Sequence, residues 1–255
     1  VSLENPDILE FAKADPRGFL AQYKKGAILD EIQRAPQLFS YLQQVLDETK
    51  KKGLFILTGS NNFLLQENIT QTLSGRIAYL QLLPLSLQEL KDSKKIKTVY
   101  GWHILNGGYP ELIAKKIKPA DWYQAYINTY IERDVRQLKN ISNLSQFTKL
   151  LRLCAGRTGQ ILNMTSLSND CGIDQKTVSA WLTILQSSYI IYLLKPYHNN
   201  FNKRIIKSPK LYFYDTGIVC SLLGINNVKQ ITTHAAKGPL FENLIITELL
   251  KARLN

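Results

Sequence analysis

The chain has 255 residues, 45% of them hydrophobic and 20% charged. That suffices for a sizeable core in two domains and excludes a disordered or low-complexity chain. The formal charge of +12 and pI of 9.5 suit a nucleic-acid or other anionic partner, though a merely basic soluble protein has them too. Cys154, Cys171, Cys220, His103, His198 and His234 are scattered without metal-ligand spacing. No zinc site or disulfide framework is expected, and a reducing cytoplasm is the expected compartment. No apolar run reaches the ~18 residues of a membrane helix, and there is no signal-peptide pattern.

In chain order, VSLENPD reads as the end of a strand and a turn. PDILEFAKADPRGFLAQY reads as helical pieces broken at Pro16 and Gly18. KGAILDEIQ has the pattern of a buried parallel strand. PQLFSYLQQVLDETKKKG places Leu38, Leu42, Val45 and Leu46 at helical spacing and stops near Lys50 to Gly53. LFILTGSNN reads as a second buried strand. RIAYLQLLPLSLQEL reads as a third strand, followed by Pro84 and a helix starting at Ser86. Strand, helix, strand implies a βαβ unit with a parallel sheet. Beyond about residue 87 the chain is mainly helical, apart from YIIYLL and KLYFYD. The last segment, Phe241 to Leu254, reads as a helix with no clear stop. The chain is expected to be a fragment at both ends.

Two carboxylates, Asp30 and Glu31, follow the first apolar run. Parallel α/β sheets gather ligand groups at the carboxyl ends of their strands. There Asp30 can hold Mg²⁺ and Glu31 can orient or deprotonate a water, the cation offsetting their repulsion. The alternative is that Asp30 caps the next helix and Glu31 is solvated. The neighbouring strand ends in Thr58, Gly59, Ser60, Asn61 and Asn62, whose polar groups can reach a γ-phosphate or form an ordinary turn. Arg76 before the third strand can stabilise transition-state charge, in a neighbouring subunit's site, or be a solvated surface arginine. No G-x-x-x-x-G-K-[ST] loop occurs in these residues. The chain by itself is therefore expected to be inactive as an ATPase.

The segment MTSLSNDCGIDQKTVSAWLTILQSSYII has the layout of a helix-turn-helix. Thr165 can cap a short helix, Gly172 makes the turn, and Asp174 caps a helix from Gln175 to Gln186. Val178, Leu182 and Leu185 share one face with Trp181 beside it; Gln175, Lys176, Ser179 and Thr183 lie opposite. KPYHNNFNKRIIKSPK then suits a β-wing, with Lys203, Arg204, Lys207 and Lys210 available for phosphates. Winged helices also serve as protein–protein modules, so duplex DNA and protein both stand as partners.

The chain resembles, over nearly its whole length, the prokaryotic AAA+ superfamily ATPases with a DUF4143 C-terminal half. ILDEIQRAPQLF, FILTGSNNF, LSGRIAYLQLLPLSLQEL, GGYPEL, YIERDV, the helix-turn-helix segment, KSPKLYFYDTG and GPLFENLIITELL carry the resemblance, in that order. It implies a partial P-loop NTPase (AAA+-like) α/β core over 1–90, a helical region over 91–150, a winged helix over 151–215, and the start of a restriction-endonuclease-like domain over 216–255. It further implies ATP and Mg²⁺ as cofactors of the complete protein and a possible homo-oligomer. Asp30 and Glu31 would be the Walker B acids, Ser60 or Asn61 the sensor, and Arg76 the arginine near a subunit boundary. Glu242 would match an early acidic position of the nuclease-type fold. The segment Tyr130 to Val135 has no assigned role, and its charges suit an inter-helix ion-pair network.

Overall fold

The computed structural model describes residues 1–59, 72–115, 117–130, 135, 143–197 and 208–252. Two compact units divide between Gln81 and Leu82.

In the first unit, α1 (Pro6–Ala14) begins at Asn5, whose side chain accepts from the Asp7 and Ile8 N–H groups. Pro16 opens α2 (Pro16–Ala21) and is the only break in this stretch. Gly18 does not break the helix, because the Asp15 cap accepts its N–H at 2.8 Å. A Cβ at Gly18 would lie 2.0 Å from that carboxylate. Strand β1 (Ala27–Leu29) pairs in parallel with β2 (Phe55–Leu57), and α3 (Leu38–Thr49) connects them. Ser2 forms an isolated parallel bridge to Asp30 on the other side of β1. The core gathers Leu3, Phe19, Leu29, Ile32, Leu38, Phe39 and Leu42.

Two expectations change here. The strands are not buried on both faces: Leu29 faces the core, while Ile28 and its partner Ile56, on the opposite face, are 54% and 56% exposed. No third strand forms over 76–82. That segment pairs with no strand among the described residues, and Leu80 and Leu82 are almost fully exposed.

The second unit starts with α4 (Leu87–Asp92), which Ser86 and Glu89 close with a capping box. There follow α5 (Tyr100–Asn106), α6 (Pro110–Ala114), α7 (Pro119–Thr129) and α8 (Leu144–Gly156). Next come α9 (Met164–Cys171), α10 (Gln175–Ser187) and the strands β3 (Ile191–Leu194) and β4 (Lys210–Phe213). The strands pair antiparallel from Ile191 opposite Phe213 to Leu194 opposite Lys210. Ile161, between α8 and α9, bridges antiparallel to Lys210. The chain closes with α11 (Thr216–Leu222), α12 (Val228–Thr233) and α13 (Lys237–Lys251). One continuous core runs from Ile104 to Leu244, so the helices before α8 and after β4 share it.

Helix α13 docks on β4 through Asn243, which is fully buried. Its Oδ1 accepts from Thr158 Oγ1 at 2.6 Å and from Phe213 N–H at 2.8 Å; its Nδ2 donates to Phe213 O at 2.8 Å. The amide thus pairs with the strand edge as a further strand would. Beside it, the Glu242 carboxylate accepts from Lys210 at 2.8 Å and from the Tyr212 hydroxyl. Lys210, then Tyr212, hold that carboxyl below its usual range.

Asn243→Ala would strand a buried N–H, a buried carbonyl and the Thr158 hydroxyl. It should destabilise the second unit by roughly 3 kcal/mol. Trp102, Trp122 and Trp181 all lie in that unit, so tryptophan fluorescence during denaturant unfolding reads the loss directly. An unchanged midpoint would refute the docking role.

Candidate functional site

The carboxyl ends of the parallel segments bring three side chains into a row. Asp30 follows β1, Ser2 bridges to it from one side, and Thr58 follows β2 on the other. Thr58 Oγ1 donates to Asp30 Oδ1 at 2.6 Å, and Ser2 Oγ donates to Asp30 Oδ2 at 3.1 Å. Each carboxylate oxygen therefore has one hydroxyl donor and keeps lone pairs for a further partner. The Thr58 bond, then the Ser2 bond, hold the Asp30 carboxyl below its ordinary range. Backbone bonds lock the row: Thr58 N–H to Leu29 O at 3.0 Å, Ile32 N–H to Thr58 O at 3.1 Å, and Leu3 N–H to Asp30 O at 3.0 Å.

Glu31 turns the chain out of the strand in the left-handed region, at φ 57° and ψ 41°. For a residue with a Cβ this costs about 1–2 kcal/mol. A short 3₁₀ turn, Ile32–Arg34, follows. Within it Gln33 Nε2 donates to Glu31 Oε2 at 2.5 Å. An ionised carboxylate only accepts, so the NH₂ end of the amide must face Glu31. That leaves Gln33 Oε1 buried with no hydrogen-bond partner. Such an orphan costs about 1–3 kcal/mol, comparable to the ~1.5–3 kcal/mol gained by a hydrogen bond to a charged group.

Asp30 does not cap a helix; α3 begins at Leu38 without a side-chain cap. Arg76 is not gathered into the row. Its guanidinium grips Asp47 of α3 at 2.6 and 3.1 Å and also donates to Ser74 O. Ser60 and Asn61 lie outside the described residues. The sequence places the sensing role on them, whereas the bond to Asp30 is made by Thr58, two and three positions earlier. Ser2 and Gln33 carried no signal beyond standing next to a strand end and to LDEI. The donors of the row are all oxygen, which suits a hard cation such as Mg²⁺. No cluster of three His, Cys, Asp or Glu occurs among the described residues. Mg²⁺ is commonly held by one or two carboxylates, with waters and phosphates completing its shell, so the row fits it.

In the second unit, Gln175, Lys176, Ser179 and Thr183 are exposed on α10, while Val178, Trp181, Leu182 and Leu185 are buried. Asp174 caps α10 by accepting from Thr177 N–H at 2.9 Å. Helix α9 is capped by Asn163, not Thr165, because it starts two residues earlier than that cap would place it, at Met164. Thr165 instead accepts from Gln175 Nε2 at 3.0 Å, tying the two helices together. Gly172 makes the turn at φ +76°. Lys203, Arg204 and Lys207 lie outside the described residues; Lys210 is paired with Glu242. No helix among the described residues is long and apolar enough to cross a membrane.

Residues 97–229 match the family model described as a domain of unknown function, DUF8612. The chain belongs to that family. The C-terminal half was expected to resemble DUF4143; the model that matches there is DUF8612. Residues 1–91 match the model described as an AAA domain, which puts the N-terminal part with an AAA-like ATPase family. An uncharacterized protein of Mycobacterium tuberculosis is 27% identical over 92% of this chain and 53% of its own length. One of Methanocaldococcus jannaschii is 25% identical over 88% of this chain and 53% of its own. One of Haemophilus influenzae is 22% identical over 77% of this chain and 50% of its own. The chain spans about half the length of these relatives. No solved structure matches it at a significant level.

Thr58→Val should move the Asp30 carboxyl back up toward its ordinary range. A depressed carboxyl stabilises the fold above its unfolded pKa and ceases to do so as pH falls through the folded value. The stability gap between wild type and variant should therefore be present at neutral pH and close below about pH 4. A carboxyl ¹³C titration of both proteins checks this; an unmoved Asp30 midpoint would sink it.

Proposed function

We propose that the protein is an AAA-type ATPase that couples ATP binding or hydrolysis to a winged-helix module. The observation that carries this reading is the row of Ser2, Asp30 and Thr58 at the strand ends, with Glu31 next to it. Asp30 would hold Mg²⁺, its two oxygens oriented by hydroxyls. The cation, when bound, supplies charge neutralisation for the transferring phosphoryl group. Glu31 accepts a proton from the attacking water. Thr58, with Ser60 or Asn61 beyond it, relates the strand tip to the γ-phosphate. Arg76 serves a neighbouring subunit, and to do so exchanges Asp47 for a phosphate.

The order helix, bridge, helix, helix, strand, strand from α8 to β4 supports the winged-helix reading. Its second reading, as a binder of duplex DNA, is favoured by the charge distribution. Residues 1–81 carry nine Lys and Arg against nine Asp and Glu, whereas 82–255 carry 23 against 11. The entire basic excess thus sits on the unit with the exposed α10 face. Gln175, Lys176 and Ser179 would enter the groove, while Lys203, Arg204 and Lys207 would contact phosphates. The DUF4143 likeness and a restriction-endonuclease-type continuation belong to the proposal as well; Glu242 then acts in docking α13. Three free, buried cysteines, Cys154, Cys171 and Cys220, suit a reducing cytoplasm.

In the full-length protein, Glu31→Gln should abolish ATP turnover and leave Mg²⁺-ATP binding intact. Failure of the full-length wild type to bind ATP would remove the ATPase reading. Separately, duplex affinity should fall steeply with salt, and Lys176→Ala should weaken binding and lower the salt slope by about one. Absence of binding at low salt would make the winged helix a protein contact.

A further inference from the structure

We infer that Gln33 is the positioning residue for Glu31, setting the direction of that carboxylate at the strand end. The inference rests on the ATPase reading and deepens it. Gln33 stands in the 3₁₀ turn directly after Glu31 and donates to Oε2 at 2.5 Å. The turn itself is pinned to the tip of β2 by the Ile32 N–H bond to Thr58 O. Thr58 in turn holds Asp30. Both acids are thereby referenced to one point, the end of β2: Asp30 through the Thr58 hydroxyl, Glu31 through the Thr58 carbonyl and Gln33.

A glutamine kept for folding alone would satisfy both ends of its amide. This one leaves Oε1 buried without a partner in order to present its NH₂ to Glu31. The residue it serves is itself held at positive φ. Two local penalties thus meet in three consecutive residues beside the candidate metal ligand. Coincident strain of this kind marks a side chain placed for chemistry. The left-handed step aims Glu31, and the Gln33 amide stops it from swinging.

The test compares Gln33→Met with wild type in the full-length protein. Methionine has similar length and no orphan carbonyl. Turnover should fall roughly 10- to 100-fold, the scale of a misplaced catalytic group, with KM for Mg²⁺-ATP within about twofold. The melting temperature should hold or rise. A merely structural glutamine predicts the opposite, a lower melting temperature with turnover kept. A second readout needs no turnover: the Gln33 side-chain ¹⁵N amide signal should shift when Glu31→Gln is introduced and when a non-hydrolysable Mg²⁺-ATP analogue binds. Wild-type turnover in Gln33→Met, or an amide signal that ignores both changes, overturns the assignment and leaves the ATPase reading standing. A full-length protein that binds no nucleotide overturns both.

Discussion

The carboxylate of Asp215 is 2% exposed, and the chain meets it with donors from three separate elements. It accepts from Gly108 N–H at 2.7 Å, Tyr123 OH at 2.7 Å and Gly217 N–H at 2.8 Å. A buried carboxylate persists only when its lone pairs are met this fully. The requirement fixes the residues around it. A Cβ on Gly107, which sits at φ +61°, would come within 2.1 Å of the carboxylate, and one on Gly217 within 2.2 Å of the Tyr123 ring. GGYPEL and DTG are thus two halves of one constraint that joins α5, α6, α7 and α11. The same seat receives the chain entering the unit. Leu85 N–H donates to Gly108 O at 2.7 Å, while Lys251 and Glu248 of α13 bond the backbone of Leu85 and Leu87.

From this seat the C-terminal unit is held as one body. Helix α13 reaches back to the entering segment through Glu248 and Lys251, and forward to β4 through Asn243. The strand it grips is the one that Ile161 bridges and β3 pairs with. A pull on the chain at Leu85 is therefore opposed by the helix that also clamps the small sheet behind α10.

Much of this was legible in the sequence, for identifiable reasons. The parallel strands, the Ser86 cap, the Asp174 cap and the apolar face of α10 all follow from local rules of period and capping. What local rules could not supply was partnership. The third strand was read from the apolar run around Tyr79 and Leu82, yet an apolar run becomes a strand only beside another strand. Asp215 and Asn243 carried no signal in the sequence, because their partners lie up to 107 positions away. Thr58 was in view as part of a polar tip. Its bond to Asp30 depends on register, which pairs Leu29 with Leu57 and so sets the next residues abreast.

The two parts of the chain also differ in where they depart from local rules. In the C-terminal unit Asp215 and Asn243 are hydrogen-bonded throughout, and the unpaired His103 Nδ1 and Trp181 Nε1 stand well away along the chain from Lys94 and Tyr189, the described non-glycine residues at positive φ there. At the end of β1 the accounting does not close locally: a glutamate occupies a left-handed backbone, and its glutamine partner leaves a carbonyl unpaired. Folding alone would favour glycine or asparagine at position 31 and a residue without a carbonyl at 33. The chain keeps Glu and Gln. The left-handed step at Glu31 costs about 1–2 kcal/mol, and the adjacent oxygen row of Ser2, Asp30 and Thr58 is where a functional return on it would act.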